Sequence, residues 1–164
     1  MRKRVTQRPV DEASALRVAI VASDYHEQVH DALLAGARQA FLQAGGRASD
    51  LKVSVVDGVY DLPPVVASAF DAGFDAVVAL GCVVRGETSH DRHISDAVFA
   101  QLSALAVAAR RPLGLGILTV ESLKQARERA GGARGDAGAF AMGAALRAHA
   151  AISAMKPAKA GKRA

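Results

Sequence analysis

Between Arg85 and His93 the chain reads RGETSHDRH, in which a glycine, two hydroxyls and an imidazole fall within a few residues. Gly86 lets the backbone turn tightly. Thr88 or Ser89 can cap a helix that starts there, and Thr88-x-x-Asp91 has the spacing of a capping box. Free N–H groups at such a start favour an anion such as phosphate. His90, in the first turn, can reach a ligand held there. The positive helix end favours a neutral imidazole, which suits a general base near pH 7. A capped helix with an ordinary surface histidine fits the same residues, and residue chemistry leaves both readings open.

Other constellations carry less. His26 and His30 have i, i+4 spacing for a metal, but no third ligand is placed, which favours a surface pair. His93 lies near His90, Asp91 and Asp96, and a solvated helix face is the preferred reading there. GLG at 114–116 falls inside a strand and lacks the third glycine of a dinucleotide fingerprint, and there is no Walker A motif. Arg127 and Arg129 can be solvated or can bind phosphate; residue chemistry alone favours solvation. Cys82 is the single cysteine, which excludes an internal disulfide and a Cys-cluster metal site. Its apolar strand marks it as inert core.

The elements that must position these groups follow from periodicity. Residues 16–23, 51–58, 75–84 and 112–120 read as strands. Residues 26–46, 62–73, 90–111, 121–132 and 136–155 read as helices. Apolar strands alternating with helices predict a three-layer α/β fold: a flavodoxin-like parallel sheet of order 2-1-3-4 with helices on both faces. Ligands bind such sheets beyond the carboxyl ends of the strands, at the switch point, here between the first and third strands. Ser23-Asp24-Tyr25-His26, Asp57 to Asp61, Arg85 to His90 and Thr119 all fall on that edge.

The chain has 164 residues, which fits one domain. Its net charge of +5 sits at the ends: residues 1–10 and 156–164 carry eight basic groups and no acidic ones. Subtracting these eight from the 21 basic residues leaves 13 against 16 acidic, a balance of −3. Residues 1–15 therefore read as a basic tail, 16–155 as a single domain, and 156–164 as a basic disordered tail. Nucleic-acid binding is disfavoured. No apolar run has the length of a membrane span, and the basic start is followed by no hydrophobic segment. A cytoplasmic protein is expected.

ALGCVVRGETSH at 79–90, followed by GLGILTVESLKQARERAG at 114–131, resembles the lumazine synthase family. The resemblance runs from Leu16 to His149 and implies the same β/α order. It implies a reaction without a cofactor or metal: 5-amino-6-(D-ribitylamino)uracil condenses with 3,4-dihydroxy-2-butanone 4-phosphate to 6,7-dimethyl-8-ribityllumazine, releasing phosphate. On the same resemblance His90 matches the proton-transfer histidine. Gly86, Glu87 and Thr88 match the phosphate loop, and Arg129 the phosphate-binding arginine supplied by a neighbouring subunit. Tyr25 matches the aromatic that stacks on the pyrimidine. Gly58, Val59, Tyr60 and Asp61 match the segment that binds the pyrimidine and ribityl chain, and Val83 and Val84 the strand end beside it.

Some positions depart from the family pattern. The usual PGAFEIP is DGVYDLP, so Asp61 is one methylene shorter than the usual Glu. Tyr25 replaces Phe, His26 replaces Asn, and Leu115 replaces an aromatic that packs near the neighbour's site. The usual NKG is DAG, which puts Ala137 in place of a lysine and implies weaker phosphate binding. The family forms homo-pentamers, and some members form shells of twelve pentamers; the connection GGARGDAG at 131–138 carries no insertion, which favours a shell. A segment containing Pro9 is expected to add an edge strand to a neighbour. Two alternatives remain: a divergent relative that binds lumazine or flavin, or forms a shell, with little turnover, and an unrelated flavodoxin-like binder of phosphorylated ligands. The changes at Asp57, Asp61, Leu115 and Ala137 speak for the former, and the span of the motifs speaks against the latter.

Overall fold

The computed structural model describes residues 13–155, so the expectations for the Pro9 segment and for residues 156–164 lie outside the described residues. Ala13 is fully buried and its N–H donates to the Ala44 carbonyl at 2.9 Å, anchoring the chain ahead of Leu16.

The first strand, β1 (Val18–Ser23), is buried at every position, as a strand covered on both faces must be. It leads into α1 (Glu27–Gln43), whose Val29, Leu33, Ala37 and Phe41 form a buried stripe at helical spacing. The half-exposed β2 (Leu51–Val56) follows. A single 3-10 turn over Val59–Asp61 then opens α2 (Leu62–Asp71), with Pro63 in its first turn, where a missing N–H costs little. Next come β3 (Ala76–Val84), α3 (His90–Ala109), β4 (Leu113–Val120) and α4 (Leu123–Arg129). Two very short strands, β5 (Ala130–Gly132) and β6 (Gly135–Asp136), precede α5 (Ala137–Ala154).

β1 to β4 form one parallel sheet of order β2-β1-β3-β4, the order expected from the sequence. Alternate residues of β1 feed two cores. Val18, Ile20 and Ala22 pack with α1, α4 and α5, whereas Ala19 and Val21 pack with α2 and α3. Leu33, Phe41, Met142 and Leu146 are almost fully buried in the first core, each contributing about 1.5–3 kcal/mol. Glycines bring α5 close: a Cβ at Gly138 would fall on the Leu33 carbonyl, and one at Gly114 on the Ala141 carbonyl.

Two local expectations change. The helix predicted over 121–132 stops at Arg129, because Gly131 and Gly135 adopt φ of 99° and 116° and turn the chain into the antiparallel β5–β6 ribbon. The capping box Thr88-x-x-Asp91 does not form. Ser89 is the N-cap, so Asp91 stands one position short of where a capping-box acid must sit. The Thr88 hydroxyl instead accepts the His90 N–H at 3.4 Å.

Candidate active site

The switch point opens because β1 and β3 are neighbours whose following helices leave to opposite faces of the sheet. The cavity there has a volume of about 350 Å³, within the range of small-molecule sites. Tyr25, His26, Gly58, Val59 and Tyr60 line it from the ends of β1 and β2. Cys82, Val83, Val84, Gly86, Thr88, His90, Asp91 and Ile94 line it from β3 and α3. Every residue expected of the site except Asp61, Glu87, Leu115 and Arg129 is thereby brought together.

Each wall has a local cause. Gly81 lets the Val59 turn lie against the sheet, since a Cβ there would stand 2.8 Å from Val59 Cγ2. That turn is closed by Asp61, whose carboxylate accepts the Gly58 N–H at 3.0 Å. Asp61 thus holds the wall from behind and does not line the cavity. Buried Ser23 joins the ends of β1 and β2 by donating from Oγ to the Asp57 carbonyl at 3.3 Å. Tyr25 and Tyr60 stand at the mouth, 76% and 66% exposed, so much of each ring is open to a ligand. His26 stands edge-on to Tyr25, ring centroids 5.0 Å apart and planes at 88°. The N-cap Ser89 makes no side-chain cap at the start of α3; the His90 N–H goes to the Thr88 hydroxyl and the Arg92 N–H to the Ser89 carbonyl, which leaves the Asp91 N–H for a ligand.

The remaining expected residues lie elsewhere. Glu87 lines a second, more polar cavity of about 650 Å³ between α3 and the end of β4. Gly86, Thr88 and Asp91 line both cavities, so the loop after β3 divides them. Arg85 crosses to Glu121 at 3.1 Å and ties that loop to the one after β4. Leu115 is 47% exposed on edge strand β4. Arg129, at the end of α4, donates to the Gln125 carbonyl at 3.1 Å and does not line the cavity of its own chain.

Sequence reasoning missed four lining residues. His26 was placed beside Tyr25 on the carboxyl edge of the sheet and weighed as half of a histidine pair and as a departure, but was not named as a substrate contact. Asp91 was weighed only as a cap or metal ligand, Cys82 only as core, and Ile94 was not singled out. Its place one turn after His90 puts it on the same helix face. Burial lowers the His26 proton affinity below the ordinary histidine value and pushes the Cys82 thiol up to about 11. Among the described residues no three His, Cys, Asp or Glu side chains gather as a metal site, and His30 Nδ1 lies 3.2 Å from the Ser23 carbonyl oxygen.

The arrangement can stack a flat ring, hold an anion at a helix start and move a proton between them. Comparison with known proteins bears on which ligands those are. The family model of 6,7-dimethyl-8-ribityllumazine synthase matches residues 15–153. A 6,7-dimethyl-8-ribityllumazine synthase of Kineococcus radiotolerans is 45% identical over 148 residues, 89% of this chain and 91% of the relative. One of Clavibacter michiganensis subsp. michiganensis is 41% identical, over 82% of this chain and 84% of its own length. A third, of Frankia casuarinae, is 44% identical, over 81% and 83%. With a match running through all four strands of the main sheet and the whole cavity, the chain belongs to the 6,7-dimethyl-8-ribityllumazine synthase family.

Proposed function

We propose that this protein is a transferase of riboflavin biosynthesis that condenses 5-amino-6-(D-ribitylamino)uracil with 3,4-dihydroxy-2-butanone 4-phosphate to 6,7-dimethyl-8-ribityllumazine. The pyrimidine stacks on Tyr25 against Val83, Val84 and Ile94, with Gly58, Val59 and Tyr60 along its polar edge and ribityl chain. The phosphate lies in the loop Gly86-Glu87-Thr88 at the start of α3. The 5-amino group attacks the ketone, a Schiff base forms with loss of water, phosphate leaves, and the ribitylamino nitrogen closes the ring with loss of a second water. His90 moves protons between these positions. No step calls for a cofactor or metal.

The observation that carries this reading is the cavity itself: in a chain of this family, one hollow at the switch point gathers an aromatic platform, an apolar wall, a helix start and a histidine. The competing reading, a relative that binds without turnover, drew on the changes at Asp57, Asp61, Leu115 and Ala137. None of these four lines this chain's own cavity, and the family match over nearly the whole chain favours turnover. The test is to mix purified protein with both substrates and follow lumazine absorbance against the uncatalysed rate. Acceleration is expected; its absence, with tight lumazine or flavin binding in the same sample, would overturn the proposal.

The active assembly is a homo-pentamer or a shell of pentamers, with Arg129 reaching the phosphate of the neighbouring subunit. The distance of Arg129 and Leu115 from their own cavity, and the exposure of Tyr25 and Tyr60 at its mouth, support a site completed by a second copy. A cytoplasmic location fits the phosphorylated substrate and the free thiol of Cys82. Among the described residues no helix is long and apolar enough to cross a membrane.

A further inference from the structure

His90 is one of two histidines that open a helix beside the cavity. His26 is the N-cap of α1 and His90 the first residue of α3, and both line the cavity. α1 packs with α4 and α5 on one face of the sheet and α3 with α2 on the other, so the crevice has an imidazole on each flank. His26 does not cap its own helix, and neither ring nitrogen is hydrogen-bonded to a described residue. The ring is partly buried and packs edge-on against Tyr25. Two unpartnered polar atoms are thus held beside the aromatic platform.

We infer that His26 is a specificity-determining residue, which braces Tyr25 and hydrogen-bonds the polar edge of the pyrimidine stacked there, one ring nitrogen donating and the other accepting. The inference rests on the proposed pyrimidine site. That substrate offers both partners: its ring carbonyls accept, and its N–H groups and polyol hydroxyls donate. The resemblance to the family places Asn at this position. An amide presents the same donor–acceptor pair without titrating. Histidine keeps the pair only while uncharged, because protonation turns the accepting nitrogen into a second donor.

The charged and titratable groups facing His26 are Glu27 on its own helix, Arg127 of α4 across a recess of about 180 Å³, and Tyr25, Tyr60, Cys82, His90 and Asp91 around the cavity. Glu27 and Asp91 favour the charged ring and Arg127 opposes it. Burial is the cause that sets the direction and holds the proton affinity below the ordinary value of 6.5, so the ring is mainly neutral near pH 7 and above. Affinity for the pyrimidine is therefore level near neutrality. It falls at acid pH, towards about tenfold per pH unit once His26 protonates.

The test is calorimetric titration of the intact protein with the pyrimidine substrate alone, from about pH 5 to about pH 8, spanning the histidine range. The wild type is expected to lose affinity at the acid end. His26→Asn recovers most of the affinity at pH 8 and shows no acid loss. His26→Ala binds about tenfold more weakly at pH 8, the cost of a lost hydrogen bond and a loosened platform. His90→Asn keeps the acid loss. The same acid loss in His26→Asn, or wild-type affinity in His26→Ala, would overturn the inference. Should His26→Ala fail to fold, the comparison of wild type with His26→Asn decides alone. pH-dependent binding without turnover would sink the proposed reaction and leave this inference standing; turnover with pH-independent binding would do the reverse.

Discussion

His90 and Cys82 line the same hollow, and the proposed function gives them opposite parts. His90→Ala is expected to lower kcat by about 10²–10⁴-fold, the usual worth of a positioned acid–base group, while weakening pyrimidine binding far less. Equal losses in kcat and in affinity, measured by steady-state kinetics and calorimetry, would remove its proton-transfer role. Cys82 is 7% exposed and its thiol is pushed up to about 11, so only about one molecule in a thousand carries a thiolate at pH 8. Maleimide labelling of the native protein at pH 8 should be slow and become fast in denaturant. The loop residues Gly86, Thr88 and His90 were legible in the sequence because turn, hydroxyl and imidazole fall in one short run. The part played by Asp61 was not. It accepts the Gly58 N–H only once a 3-10 turn has folded the chain back, and no spacing rule announces that turn.

Among the elements, α5 is the one whose seating tolerates least change. Asp136 caps it by accepting the Ala139 N–H at 2.9 Å, and Gly36 of α1 leaves the room that this carboxylate occupies. Gly138→Ala would drive a methyl into the Leu33 carbonyl and push α5 off α1, costing about 1–3 kcal/mol. In a chain of this size that lowers the thermal midpoint by about 2–4 °C per kcal/mol, readable by calorimetry. An unchanged midpoint would mean that the helix pair yields more easily than its backbone contact implies. The four long strands and four of the five helices were readable from apolar period and from proline or glycine punctuation. The β5–β6 ribbon was not, because strands of three and two residues are too short to show a period, and the helical spacing of α4 runs on into them.

At the scale of the whole molecule, the sheet order was legible because right-handed crossovers leave few arrangements for alternating strands and helices. The neighbour proposed to complete the site was not legible from residue chemistry, since a partner's surface would leave no periodicity in the chain. If neighbours share sites, His90→Ala and Arg129→Ala proteins are each nearly inactive, but dissociating and reassembling them together restores activity. In an even random mixture about a quarter of the sites draw an intact His90 from one chain and an intact Arg129 from the next. No recovery after verified co-assembly would place both residues in one subunit's site. The parallel sheet has a consequence for how the chain comes into being. Among the described strands β1 pairs with β2 and β3, and each partner lies beyond at least one intervening helix. No neighbouring pair in that sheet can zip from a tight turn, so the most buried strand is made first and waits longest. Folding should take milliseconds to seconds, not microseconds. Through that interval the sticky edges of β1 stay open to other nascent chains. Pulsed hydrogen exchange should find the amides of β1 and β3 protected in the same kinetic phase, later than those of α1.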